Sequence, residues 1–160
     1  MTGRIVRSAD FERVLGGAAK ARSEHFAVHH LPSRPSLPAK PHKKGAELEL
    51  STASAPHGVI PVDDSVEMEF EPNREPEQVW LGLVVPKRHA KRSVTRSLFK
   101  RQIRAAVGRH AALMVHGLWV VRLRAPFDKA KFPSAASHAL QSAARAELDT
   151  LLAGAAQRVR

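Results

Sequence analysis

The chain has no cysteine and no tyrosine, only two tryptophans, and an aromatic content of 5%. Without cysteine there is no disulfide framework, no thiolate nucleophile and no cysteine-ligated zinc. No apolar run approaches the roughly 20 residues that a membrane-spanning helix needs. The first apolar stretch is broken by Arg4, Arg7, Asp10, Glu12 and Arg13, so no secretory leader is expected and a cytoplasmic location follows. Acidic residues are scarce, 15 against 26 lysines and arginines, and none lies between Val79 and Pro126.

What is present is positive charge. The net charge is +11, and nine of the acidic residues sit between Ala46 and Gln78 beside one basic residue, Arg74. Outside that segment 25 basic residues face 6 acidic ones, a net charge of +19. Such a surface calls for a polyanion, either nucleic acid or an anionic membrane, and composition does not choose between them.

The charge concentrates where the hydrophobic pattern is strongest, from Lys87 to Met114. At helical spacing Phe99, Ile103, Ala106, Val107, His110, Leu113 and Met114 fall on one arc, and Arg96, Lys100, Arg101 and Arg104 gather beside it. Arg96, Lys100 and Arg104 are four apart, a like-charge spacing that costs a few tenths of a kcal/mol per pair in an isolated helix. With no carboxylate in the stretch to relieve the repulsion, an external anion is the expected partner. A membrane role would need a broad exposed apolar face, which the arc does not leave free because a sheet needs it.

The rest of the chain reads as short elements. Met1 to Ser8 is a basic lead-in, followed by a helix capped by Ser8 or Asp10, with Phe11, Val14 and Leu15 on one face and Gly16-Gly17 at its end. Two strands follow, a very short one before Glu24 and a longer one through Leu31, in which Phe26, Val28 and His30 alternate with Ala27, His29 and Leu31. Residues 32–78 hold eight of the eleven prolines, basic first and acidic later, and read as a disordered insertion between neighbouring strands. Val79 to Val85 is a strongly apolar strand, and Gly82 within it marks a close approach. A last strand runs from Leu118 to Arg124, with Trp119, Val121 and Leu123 on one face and Val120, Arg122 and Arg124 on the other. Trp119 shares its face with aliphatic residues, which favours core packing over base stacking. A final helix is expected from Pro133-Ser134 to about Ala153, with Ala136, Leu140, Ala143, Ala144, Leu148 and Leu151 as its buried stripe, Gly154 past its end, and residues 156–160 as a C-terminal tail that frays from Gln157 to Arg160.

This order predicts an α+β (α/β sandwich) fold, a small, mostly antiparallel sheet with helices packed on it, including a β-α-β unit. No protein active site emerges. The nine histidines show no ligand spacing, His29 and His30 point to opposite faces of a strand, and the carboxylates cluster in the insertion. No protein-held metal is expected.

Three patterns together, Leu81-Gly82-Leu83, Lys87-Arg88 and Arg96-x-x-x-Lys100-Arg101-x-x-Arg104, resemble the protein component of bacterial ribonuclease P. Asp10-Phe11-Glu12-Arg13-Val14 resembles that family's first helix. The departures are Ser97, where the family motif has asparagine, and Leu98, where it often has a further arginine.

The resemblance implies one RNA-binding domain from residues 1–31 and 79–155, and a β-α-β crossover of the rare left-handed form. It also implies a ribonucleoprotein whose RNA subunit performs magnesium-dependent removal of the 5′ leader from precursor tRNA. Arg96, Lys100, Arg101 and Arg104, with Lys87, Arg88, Lys91 and Arg92, would hold the catalytic RNA. Phe11, Leu15, Phe26 and His29 would line a cleft for the precursor tRNA leader. The competing expectation is a ribosomal or general RNA-binding protein that uses the same basic helix without a role in tRNA cleavage.

Overall fold

The computed structural model describes residues 2–36 and 76–160. The bulk of the predicted insertion, 37–75, lies outside the described residues. In chain order the elements are β1 (Thr2–Arg4), α1 (Ser8–Leu15), β2 (Ala21–Arg22), β3 (Phe26–Leu31), β4 (Val79–Val84), α2 (Ser93–His110), β5 (Gly117–Leu123) and α3 (His138–Val159), with a 3-10 turn at Ala111–Leu113. The five strands form one mixed sheet in the order β1-β4-β5-β3-β2.

The α+β class holds, but the sheet is evenly mixed rather than mostly antiparallel. β1–β4 and β4–β5 are parallel, whereas β5–β3 and β3–β2 are antiparallel. The expected basic lead-in supplies β1, a strand too short for periodicity to reveal. It pairs Gly3 with Trp80 and Arg4 with Leu81 at the sheet edge.

Side-chain alternation divides the sheet between two cores. Phe26, Val28, Leu81, Trp119, Val121 and Leu123 point to one face and pack with Phe99, Ile103 and Val107 of α2 and with Leu148 and Leu152 of α3. Leu118 and Val120 point to the other face and meet Ile5 and Val14, with Phe11 and Leu15 of α1 around them. Each large side chain buried in these cores contributes about 1.5–3 kcal/mol of transfer free energy. Trp119 is fully buried, and its indole N–H donates to the Val115 carbonyl at 2.8 Å, so it is a core residue.

Two glycines allow close packing. A Cβ on Gly82 would lie 2.6 Å from Phe11 Cε1 and 3.1 Å from Val120 Cγ2, so the missing side chain lets α1 settle on the sheet. Gly117, at φ +130°, turns the chain into β5 where a Cβ would meet the Leu31 carbonyl oxygen at 2.6 Å.

Several boundaries differ from expectation. Residues 87–92 lead into α2 as a basic entry segment, but after His110 the chain tightens into the 3-10 turn, which leaves Leu113 45% exposed rather than on the buried arc. Neither Ser8 nor Asp10 caps α1; Arg7 takes the cap position without a side-chain cap hydrogen bond. The buried Asp10 carboxylate instead accepts from Arg13 at 3.0 Å and from the Ser36 backbone N–H at 3.0 Å.

Arg13 also donates to Ser33 Oγ at 2.7 Å, and Arg34 pairs with Glu77. Residues 33–36 and 76–78 thus fasten to the folded unit, although they fall within the predicted insertion.

α3 starts at His138, capped by Ser137, whose Oγ accepts from the Leu140 N–H at 3.1 Å. Ala136 precedes it and is exposed. The helix passes through Gly154 to Val159, so the predicted frayed tail is helical. Burial of Leu151, Leu152, Ala155 and Ala156 outweighs the roughly 1 kcal/mol that an internal glycine costs.

Candidate nucleic-acid interface

α2 turns its apolar stripe, Leu98, Phe99, Ile103, Ala106 and Val107, into the larger core. That placement forces the intervening residues outward, and Lys100, Arg101 and Arg104 are exposed. No carboxylate occupies the first turn of α2. Among the described residues none of these three cations has an ion-pair partner. Leu98, at the motif's altered position, is a buried core residue, which explains why an apolar side chain is tolerated there. Ser97 is exposed beside the cations.

Arg96 differs from its neighbours. Its Nη1 donates to the carbonyls of Ala90 at 3.0 Å and Lys91 at 2.7 Å. The His89 and Ala90 N–H groups in turn donate to the Pro86 carbonyl, and Ala90 is buried. Arg96 therefore holds the segment bearing Lys87, Arg88, Lys91 and Arg92 against the start of α2, which gathers these exposed cations with Lys100, Arg101 and Arg104. At the other end Asp149 of α3 accepts from Arg109 at 2.7 Å and from His110 at 3.2 Å, which neutralises the helix end and bounds the cationic face.

The opposite side of the sheet carries the second predicted surface. Phe11 and Leu15 are half-buried around the smaller core, Phe11 against Gly82. His29 lies on this face, buried, with Nδ1 donating to the Gly17 carbonyl at 3.2 Å. Burial lowers its pKa, the Gly17 bond opposes the shift, and the charges of Arg122 and Arg22 lower it further, so the ring stays neutral near pH 7.

Phe26 does not belong to this group. It is fully buried on the opposite face, with ring centroids 6.0 Å from Phe99 and 6.0 Å from Phe127. Strand alternation places it there, because Phe26 and His29 are three residues apart and must point to opposite sides.

Sequence reasoning missed two arginines here. Ala27 pairs in register with both Arg22 of β2 and Arg122 of β5, which sets the two arginines on either side of a small residue, on the face that carries His29. The alternation around Trp119 already assigned Arg122 to this face, but the pairing of β2 with β3 was needed to bring Arg22 across from it.

Fold and surface together define a small α+β domain that turns a cationic helix face, free of carboxylates, outward. Its family follows from the sequence comparison. The profile of the family described as Ribonuclease P matches residues 58–147, more than half of the chain, and the chain belongs to that family.

Similar proteins include the ribonuclease P protein component of Burkholderia pseudomallei strain 1106a, 43% identical over 79 residues. That match covers 49% of this chain and 58% of the relative. The counterpart in Paraburkholderia xenovorans strain LB400 is 41% identical over 81 residues, covering 49% of this chain and 57% of the relative. The matches thus span somewhat more than half the length of these curated relatives. The ribonuclease P protein of Staphylococcus aureus shares the fold, with a TM-score of 0.51 at 18% identity, covering 94% of this chain and 92% of that one.

Proposed function

We propose that this chain is the protein subunit of a ribonuclease P ribonucleoprotein that removes the 5′ leader of precursor tRNA. The observation that carries the reading is the α2 face, where Lys100, Arg101 and Arg104 stand exposed without a carboxylate while Arg96 draws Lys87, Arg88, Lys91 and Arg92 beside them. Packing against the sheet holds these cations in place, so phosphates of the catalytic RNA relieve a repulsion the fold has already imposed.

On the opposite face, the half-buried Phe11 and Leu15 offer apolar surface beside the buried, neutral His29, and Arg22 and Arg122 supply charge for a single strand. This surface takes the leader. Hydrolysis falls to the RNA and its magnesium. On this reading the ion's donors are RNA phosphates. No helix among the described residues is long and apolar enough to cross a membrane, and the cytoplasm is where this reading places the protein.

The test is cleavage of precursor tRNA at low magnesium by the cognate catalytic RNA, with and without the protein. Stimulated cleavage at the mature 5′ end supports the assignment. Tight RNA binding without stimulation, and with equal affinity for precursor and mature tRNA, would instead make this a general RNA-binding protein.

A further inference from the structure

Between β1 and α2 lies a hollow of about 390 Å³ whose interior neither proposed RNA contact fills, although Lys100 and Arg104 of the one surface and Phe11 of the other stand at its lining. Its apolar wall includes Leu81, Leu83 and Val107, and its charged rim is Arg4, Lys100 and Arg104. Arg4 reaches the α2 side because it pairs in register with Leu81, whose side chain faces that helix. Lys100 and Arg104 are four apart on α2, and the next position in the row is Gly108, also at the hollow, where there is no side chain to close it. A Cβ at Gly108 would meet nothing within 4 Å, so packing within the protein does not demand glycine there. Val6 beside the hollow is 81% exposed, an apolar residue left uncovered.

No carboxylate lines this space, which excludes a cationic ligand, and three cations around an apolar wall suit a flat apolar group attached to phosphate. The volume is at the small end of the range for ligand pockets, enough for one nucleotide and too small for a duplex. RNA is read through unstacked bases that leave the helix and lie against protein surface.

We propose that one unstacked nucleotide of the catalytic RNA inserts its base into this hollow, with Lys100 and Arg104 on the flanking phosphates. The inference rests on the RNA-binding reading above. It adds a point of register to a contact that phosphates alone would leave free to slide.

The test is Gly108→Phe in the full chain, assayed for affinity to the cognate catalytic RNA across a salt series and by chemical probing of base-pairing edges in the complex. The new side chain starts in open space and fills the hollow. The expected result is roughly tenfold weaker binding, the order of one lost stacked base, with an unchanged salt slope. One nucleotide that is protected in the wild-type complex becomes reactive.

Gly154→Phe, the same change at an uncrowded glycine of α3, is expected to match wild type. Thermal unfolding checks both folds, and Gly108→Leu replaces the phenylalanine variant should that one unfold. Unchanged affinity and footprint would overturn the inference while leaving RNA binding intact. So would weakening with a flattened salt slope, which would mean that phosphate contacts had been lost instead. Failure of the wild-type protein to bind the RNA would remove the function reading itself.

Discussion

Gly82→Ala tests whether Phe11 is seated by the glycine beneath it. The added Cβ would stand 2.6 Å from Phe11 Cε1, 3.0 Å from its Cζ and 3.1 Å from Val120 Cγ2. Val120 is fully buried and pairs in register with Gly82, so it cannot withdraw; the half-buried Phe11 ring must move, and α1 with it. Overpacking of this kind costs about 1–3 kcal/mol, partly offset by about 0.4–1 kcal/mol from the reduced freedom of the unfolded chain. A net destabilisation of roughly 1–2 kcal/mol is expected, read in urea as a lower midpoint at constant slope. Phe11→Leu shortens the clashing ring, so the double variant should recover part of the loss, with a coupling of about 1 kcal/mol or more. Preference for precursor over mature tRNA should fall in Gly82→Ala because the displaced ring lines the proposed leader surface. A single variant as stable as wild type, or purely additive effects, would refute the seating argument.

Two further predictions follow from the charges. Replacing Lys100, Arg101 and Arg104 together by alanine should weaken binding to the catalytic RNA and flatten its log–log salt slope by roughly 0.7–0.9 per lost phosphate contact, as measured by filter binding; an unaltered slope would place the interface elsewhere. Acid should destabilise the fold in two stages. His29 and His30 have pKa values lowered first by burial, so their contribution is present above the ordinary value of 6.5 and declines as pH falls through their folded values. Glu147 accepts from Ser23, from the His25 backbone N–H at 2.7 Å and from His25 Nδ1 at 2.8 Å. Burial raises its pKa, but these bonds outweigh that and hold it below 4.5. Its stabilisation is therefore present above pH 4.5 and lost below. Glu147→Gln should remove that lower limb from a plot of urea midpoint against pH and leave the histidine limb in place.

The parts legible from sequence were those whose signal repeats within one element. The apolar stripe of α2 repeats at helical spacing, so its core face and the cationic row beside it were readable without coordinates. The alternation of β3 and β5 set Trp119 on one face and Arg122 on the other, as the structure has it. Pairings between distant segments left no such trace. The three residues of β1 carry no period, and only the free edge of β4 makes them a strand. The end of α3 differs from expectation at Gly154 because local propensity marks a stop there, whereas burial of Ala155 and Ala156 keeps the helix going.

Phe26 shows the same division at the candidate site. Its chemistry suits a base-stacking cleft, but strand parity turns it into the opposite core. Arg96 reads as one more cation in a row of four, and only the folded chain shows its guanidinium spent on the Ala90 and Lys91 carbonyls. By itself the sequence determined which residues are apolar, which are charged and how each element presents them, because those properties belong to single elements. Tertiary structure decided which faces meet, which cations remain free and where a hollow is left between β1 and α2, because those depend on contacts between residues far apart in the chain.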